Sequence, residues 1–126
     1  MKKVLFSATD PLGNEIKLLK ETFEKHIIVR HPEMKNHIQD IKQAVKHPLY
    51  IGSGAKSKNS IIYLSVFPNQ NTPYIIVAVK RIKKTNKIIL TAFSAKNLGL
   101  NKINKILWQE KNPKNLIIPT LRPRKN

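Results

Sequence analysis

An α+β domain, with helices packed on one face of an antiparallel sheet, is the fold class the sequence predicts, on three observations. Leu19, Phe23 and Ile27 recur at spacing 4, and Met34, Ile38, Ile41 and Val45 at spacings 4, 3 and 4, the period of amphipathic helices. Between Ile61 and Ser94, three strand-like runs sort their residues onto two faces at period 2, for instance Ile75, Val77 and Val79 against Ile76 and Ala78. Hydrophobic residues make up 40% of a 126-residue chain, enough for one core and unlike a disordered composition. Residues 1–111 are therefore assigned to a single domain, and 112–126 to a Pro-rich basic tail.

Lys3 to Ala8 reads as a short strand, and Asp10-Pro11-Leu12-Gly13 has Pro and Gly at the second and fourth positions of a type I turn. Glu15 to Leu18 then pairs back as an N-terminal β-hairpin. The first helix follows from about Lys20, although no Ser or Thr stands ready to cap it. His31 precedes Pro32, which disfavours helical geometry, so this helix ends there and a second opens at Pro32 and runs to about Val45. His47-Pro48 stops it.

Leu49-Tyr50-Ile51 begins the sheet, and the polar segment 52–60 reads as a surface loop. Its Gly-x-Gly and lysines suggest a phosphate cradle, but the complete P-loop pattern is missing. Ile61 to Phe67, Tyr74 to Ile82 and Ile88 to Ser94 form a meander joined by short turns. Asn101 to Gln109 is read as a short C-terminal helix capped by Asn101 and using Ile103, Ile106 and Leu107.

Charge narrows the partner class. The chain carries 24 Lys and Arg against 7 Asp and Glu, a net charge of +17. Six of the seven acids lie in the first forty residues, leaving Glu110 alone beyond Asp40. A biased genome raises lysine everywhere but does not empty one half of acids, so a polyanion partner is expected, nucleic acid before anionic membrane. The candidate contacts are Arg30, Lys56, Lys58, Arg81, Lys83, Lys84, Lys87 and Lys96. No cysteine is present, and no apolar run is long enough to cross a bilayer. With no signal peptide visible, the cytosol is the expected compartment.

The chemistry centres on Lys25 to Glu33, which gathers His26, Arg30, His31 and Glu33. At about 100° per residue, His26 lies about 60° from the Phe23 axis, on the rim of the buried stripe, with Arg30 one turn further on the same side. That position suits acid–base work; it also suits a boundary histidine bonded to a backbone carbonyl. His26 and His31 are five apart and carboxylates are scarce, so no metal and no cofactor are expected. RNA offers a metal-free route, because its 2′-hydroxyl is an internal nucleophile. Histidine can move the protons and a cation can balance the charge on phosphorus. Lys80 and Arg81 interrupt an otherwise apolar strand, and Thr91 and Tyr63 put hydroxyls on neighbouring strands. A binding module that uses the charge and ignores His26 is the alternative.

Taken in order, the Asp10-x-x-Gly13 turn, the helix ending His26-Ile27, His31-Pro32-Glu33, the strand Ile75 to Val79 and Thr91-Ala92-Phe93 resemble the phage-associated nuclease branch of the barnase, EndoU, colicin and RelE-like (BECR) superfamily. The resemblance spans roughly residues 4 to 109. It implies two N-terminal helices packed on a four-stranded antiparallel sheet, metal-independent endoribonuclease activity, and a role as a toxin or effector of phages and mobile elements, with an immunity or antitoxin protein as counterpart. It makes His26 the catalytic candidate and draws Lys80 and Thr91 to the site, with His31 as part of the signature. One departure stands out: such sequences often place Thr before the first helix and Trp within it, where this chain has Leu19-Lys20 and Phe23.

Overall fold

A computed structural model describes residues 3–56, 59–82 and 86–110. Its class is α+β, but its sheet is larger than expected and of mixed sense. The described residues hold seven strands: β1 (Val4–Thr9), β2 (Glu15–Leu19), β3 (Tyr50–Gly54), β4 (Ser60–Val66), β5 (Tyr74–Arg81), β6 (Asn86–Ala95) and β7 (Ile103–Gln109). They lie in the order β1-β2-β6-β5-β4-β3-β7. This overturns the expected four-stranded antiparallel sheet with a separate hairpin and a C-terminal helix. The strands β3 to β6 form an antiparallel meander; the hairpin adds to it at β6, and β7 extends it at β3.

Each addition has a physical cause. β2 runs parallel to β6 over three residue pairs, Glu15 with Asn86 to Lys17 with Ile88, which buries Ile16 completely. The segment expected to form a helix at 101–109 instead makes a 3-10 turn, Leu100–Lys102, and then strand β7. Its apolar residues mimic helical spacing, but pairing with β3 satisfies a whole edge of backbone and packs Ile103 and Trp108 against the two cores. Gly52 makes this pairing possible, because a Cβ there would overlap the Ile103 side chain.

Among the described residues, two helices cover one face of the sheet. The first, α1 (residues 20–30), is continuous but contains a π-turn at Phe23–Ile27. Its missing cap is replaced from elsewhere in the chain, since the Lys20 N–H donates to the carbonyl of Lys3 at 2.8 Å. The second, α2 (Ile38–Lys46), is shorter than the predicted 32–45. Pro32–Met34 forms a separate 3-10 turn, and α2 begins only after His37, whose ring nitrogen Nδ1 lies 2.7 Å from Asp40.

The helix-side core joins Phe23, Ile27, Ile41 and Val45 to Ile16, Leu18, Tyr63, Val77 and Ile89. A second core on the opposite face contains Leu49, Ile62, Leu64, Tyr74, Ile76 and Leu98. Burial on both faces explains why β4 and β5 read as almost continuous apolar runs. Among the described residues no helix is long and apolar enough to cross a membrane.

Gly52→Val should detach or displace β7, because the new side chain must occupy the space of Ile103. A loss of about 1–3 kcal/mol is expected from such overpacking, measured by urea unfolding of the full chain.

Candidate nucleic-acid interface

The register of β6 determines which residues meet. Ala78 pairs with Thr91 whereas Val79 pairs with Ile89, so Leu90 is an extra residue, a β-bulge. Strict alternation would put Ile89 and Thr91 on one face. The bulge separates them: Ile89 enters the helix-side core, while Thr91 and Phe93 turn to the other face.

Beside this bulge, α1 presents Thr22, His26 and Arg30 to Ile88, Leu90 and Thr91, and together they line a depression of about 280 Å³. Phe23 and Ile27 are buried beneath, and they orient the helix so that His26 and Arg30 are exposed. His26 lies within the π-turn, one residue before Ile27. An exposed imidazole and a guanidinium one turn away, set against the strand at Thr91, make a positively charged recess. Three residues far apart in sequence but singled out by it, His26, Arg30 and Thr91, thus converge.

His31 stands just past the end of α1, and its ring stacks on Phe93 at 5.0 Å between centroids and 27° between planes. Glu33, in the following 3-10 turn, accepts from the Ser94 N–H at 3.4 Å and from its hydroxyl at 3.3 Å. The His31-Pro32-Glu33 segment therefore clasps the upper half of β6, where β2 no longer accompanies it. Lys80 is exposed and, by strand alternation from Ile76 and Ala78, belongs to the face away from the helices, paired with Ser60. Lys56, Arg81 and Lys96 are exposed as well. Lys58, Lys83 and Lys84 lie outside the described residues.

Tyr63 and Lys87 occupy a different place. Tyr63 is fully buried on the helix side, and its hydroxyl donates to Asp10 Oδ2 at 2.5 Å. Burial and the neighbouring Asp10 carboxylate hold its phenol far above the usual tyrosine range. Lys87 is only 2% exposed, and its Nζ donates to Asn14 Oδ1 at 2.8 Å. Desolvation, then the Arg81 guanidinium, lower its pKa, and Asp10 partly offsets them. Lys87 thus belongs to an internal polar cluster and not to the open basic surface.

Asp10 is the hub of that cluster and the residue that sequence reasoning missed. Its Oδ1 accepts the N–H groups of Leu12 and Asn14 at 2.9 and 2.8 Å, and its Oδ2 also accepts from the Asn14 side chain at 3.1 Å. An Asp opening a Pro-x-Gly turn signals the local bonds, whereas the long-range partners, Tyr63 directly and Lys87 through Asn14, leave no sequence signal. Gly13, at φ +89°, closes the turn with its N–H on the Asp10 carbonyl.

A larger cavity of about 540 Å³ lies between α2 and the β4 end, but Asp40 and Glu110 line it. Two carboxylates make it unsuited to a phosphate. No group of three or more metal-ligating side chains occurs among the described residues. The chain matches no protein-family model, no curated protein and no solved structure.

Removing the phenol tests the cluster. Tyr63→Phe leaves Asp10 short of one charge-assisted bond and should cost about 1.5–3 kcal/mol. A phenol pKa raised by folding contributes stability below the unfolded value of about 10 and loses it above. The gap in stability between wild type and Tyr63→Phe should therefore narrow as pH rises past about 10, followed by urea unfolding across that range.

Proposed function

We propose that this protein binds RNA and cleaves it without a metal, using the 2′-hydroxyl as nucleophile. The observation that carries the reading is the shared recess of His26, Arg30 and Thr91 on a chain of net charge +17. In the proposed reaction His26 takes the proton of the 2′-hydroxyl as that oxygen attacks the adjacent phosphorus. Arg30 offsets the negative charge that grows on the non-bridging oxygens. The imidazolium returns a proton to the departing 5′-oxygen. The products are a 2′,3′-cyclic phosphate and a free 5′-hydroxyl, so every proton and bond is accounted for.

The resemblance of the sequence motifs to BECR nucleases suggests the same chemistry, in a toxin or effector setting with an immunity protein as counterpart, although the fold it implied is not the one observed. A binding-only protein is the second reading. The partial exposure and basic surroundings of the His31–Phe93 stack favour it, since stacking and charge hold single strands without chemistry.

One experiment separates the two. Full-length protein incubated with RNA in EDTA should produce fragments ending in cyclic phosphate, and His26→Gln should cut this rate about 10²- to 10⁴-fold while retaining its fold. Intact RNA in the wild-type incubation would leave only the binding role, and an unchanged rate in His26→Gln would remove the histidine from the mechanism. Affinity for a short single-stranded RNA, measured across a salt series, should fall steeply through release of condensed counterions. A flat response would exclude the polyanion partner.

A further inference from the structure

Thr91 lines two cavities. One is the recess with His26; the other lies on the sheet face turned away from the helices and has a volume of about 490 Å³. Its floor is apolar, with Ile62, Ile76, Ala78 and Phe93. Ile62 and Ile76 are buried members of the second core, so this floor is fixed. One wall is the 3-10 turn Leu100–Lys102 and the other the end of β3, tied together by the Ala55 N–H donating to the Lys102 carbonyl at 2.9 Å.

The rim differs in character from the floor. Lys56 and Lys102 bring two exposed ammonium groups, and Asn101 an exposed amide with both a donor and an acceptor. The Lys102 Nζ stands 5.7 Å from the centroid of the Phe93 ring. A flat apolar floor with an aromatic ring, a bifunctional amide and two cations matches one chemical class well: a planar heteroaromatic base joined to a phosphate.

We infer that this cavity holds one unpaired nucleotide of single-stranded RNA, its base against Ile76, Ala78 and Phe93 and its phosphate between Lys56 and Lys102. Because Thr91 belongs to both cavities, the nucleotide is a neighbour of the phosphate held by His26 and Arg30. The inference rests on the proposed RNA reading for its ligand class but needs no cleavage. It gives the protein a nucleotide preference, read by Asn101 on the base edge.

Mononucleotides test it directly. The full chain is titrated with the four nucleoside 3′-monophosphates, with ribose 5-phosphate as the base-free control, by calorimetry and amide chemical shifts. At least one nucleotide is expected to bind at least tenfold more tightly than ribose 5-phosphate, with shifts at Asn101 and Lys102. Loss of one base stack typically weakens binding from about fivefold to about a hundredfold, which is the range expected for Phe93→Ala. Because Phe93 also supports the sheet, Lys102→Gln and Asn101→Ala at exposed positions serve as second variants. Lys102→Gln should lower affinity for all four nucleotides, Asn101→Ala should flatten the differences among them, and Lys46→Gln on α2 should do neither. Equal affinity for nucleotides and ribose 5-phosphate overturns the inference, whatever the cleavage assay reports. Nucleotide binding that survives Lys102→Gln and Asn101→Ala unaltered also overturns it, by putting the ligand elsewhere. Nucleotide binding in this cavity without RNA cleavage in EDTA supports the inference and removes only the catalytic reading.

Discussion

The buried carboxylate of Asp10 is the constraint on which the rest of the arrangement depends. The β1–β2 hairpin meets the sheet through only three parallel residue pairs, a short joint for an element that must hold a helix in place. Asp10 strengthens it from the turn, bonding to Tyr63 on β4 and, through Asn14, to Lys87 on β6. Such a buried charge is tolerated because its oxygens are supplied with donors. β2 leads without a loop into α1, and the Lys20 N–H is tied back to Lys3. The position of the hairpin therefore determines where α1 starts, and so where His26 and Arg30 meet the bulge of β6.

The bulge is the second element of this design. By adding Leu90 it sends Ile89 into one core and Thr91 and Phe93 to the other face. One strand thus contributes to two cavities, and Thr91 lines both. Cations arrive from elsewhere: Arg30 from a helix, Lys56 from a strand end, Lys102 from a 3-10 turn.

Much of the local structure was legible in the sequence. Phe23 and Ile27 mark the buried face of α1, which residue order records faithfully, whereas Leu19, read with them as a helical stripe, is the last residue of β2. Ile103, Ile106 and Leu107 misled because spacings of 3 and 1 suit a helix turn, while what decides their state is a partner fifty residues away in β3. The size and sense of the sheet were hidden for the same reason, since the parallel joint of β2 with β6 depends on non-local pairing. At the site, the one-turn spacing of His26 and Arg30 was readable, and their meeting with Thr91 depended on a bulge. Lys87 reads as one more basic residue until its burial beside Asn14 is seen.

Beyond Ile88, β6 has no described strand on its hairpin side, so its backbone there is an open flank. Open flanks invite a second chain to add itself, which is how sheets join end to end into fibres. Here Glu33 takes the Ser94 N–H and His31 lies on Phe93. The His-Pro-Glu segment that draws the eye as a chemical signature also covers this flank, at the place where a further strand would add.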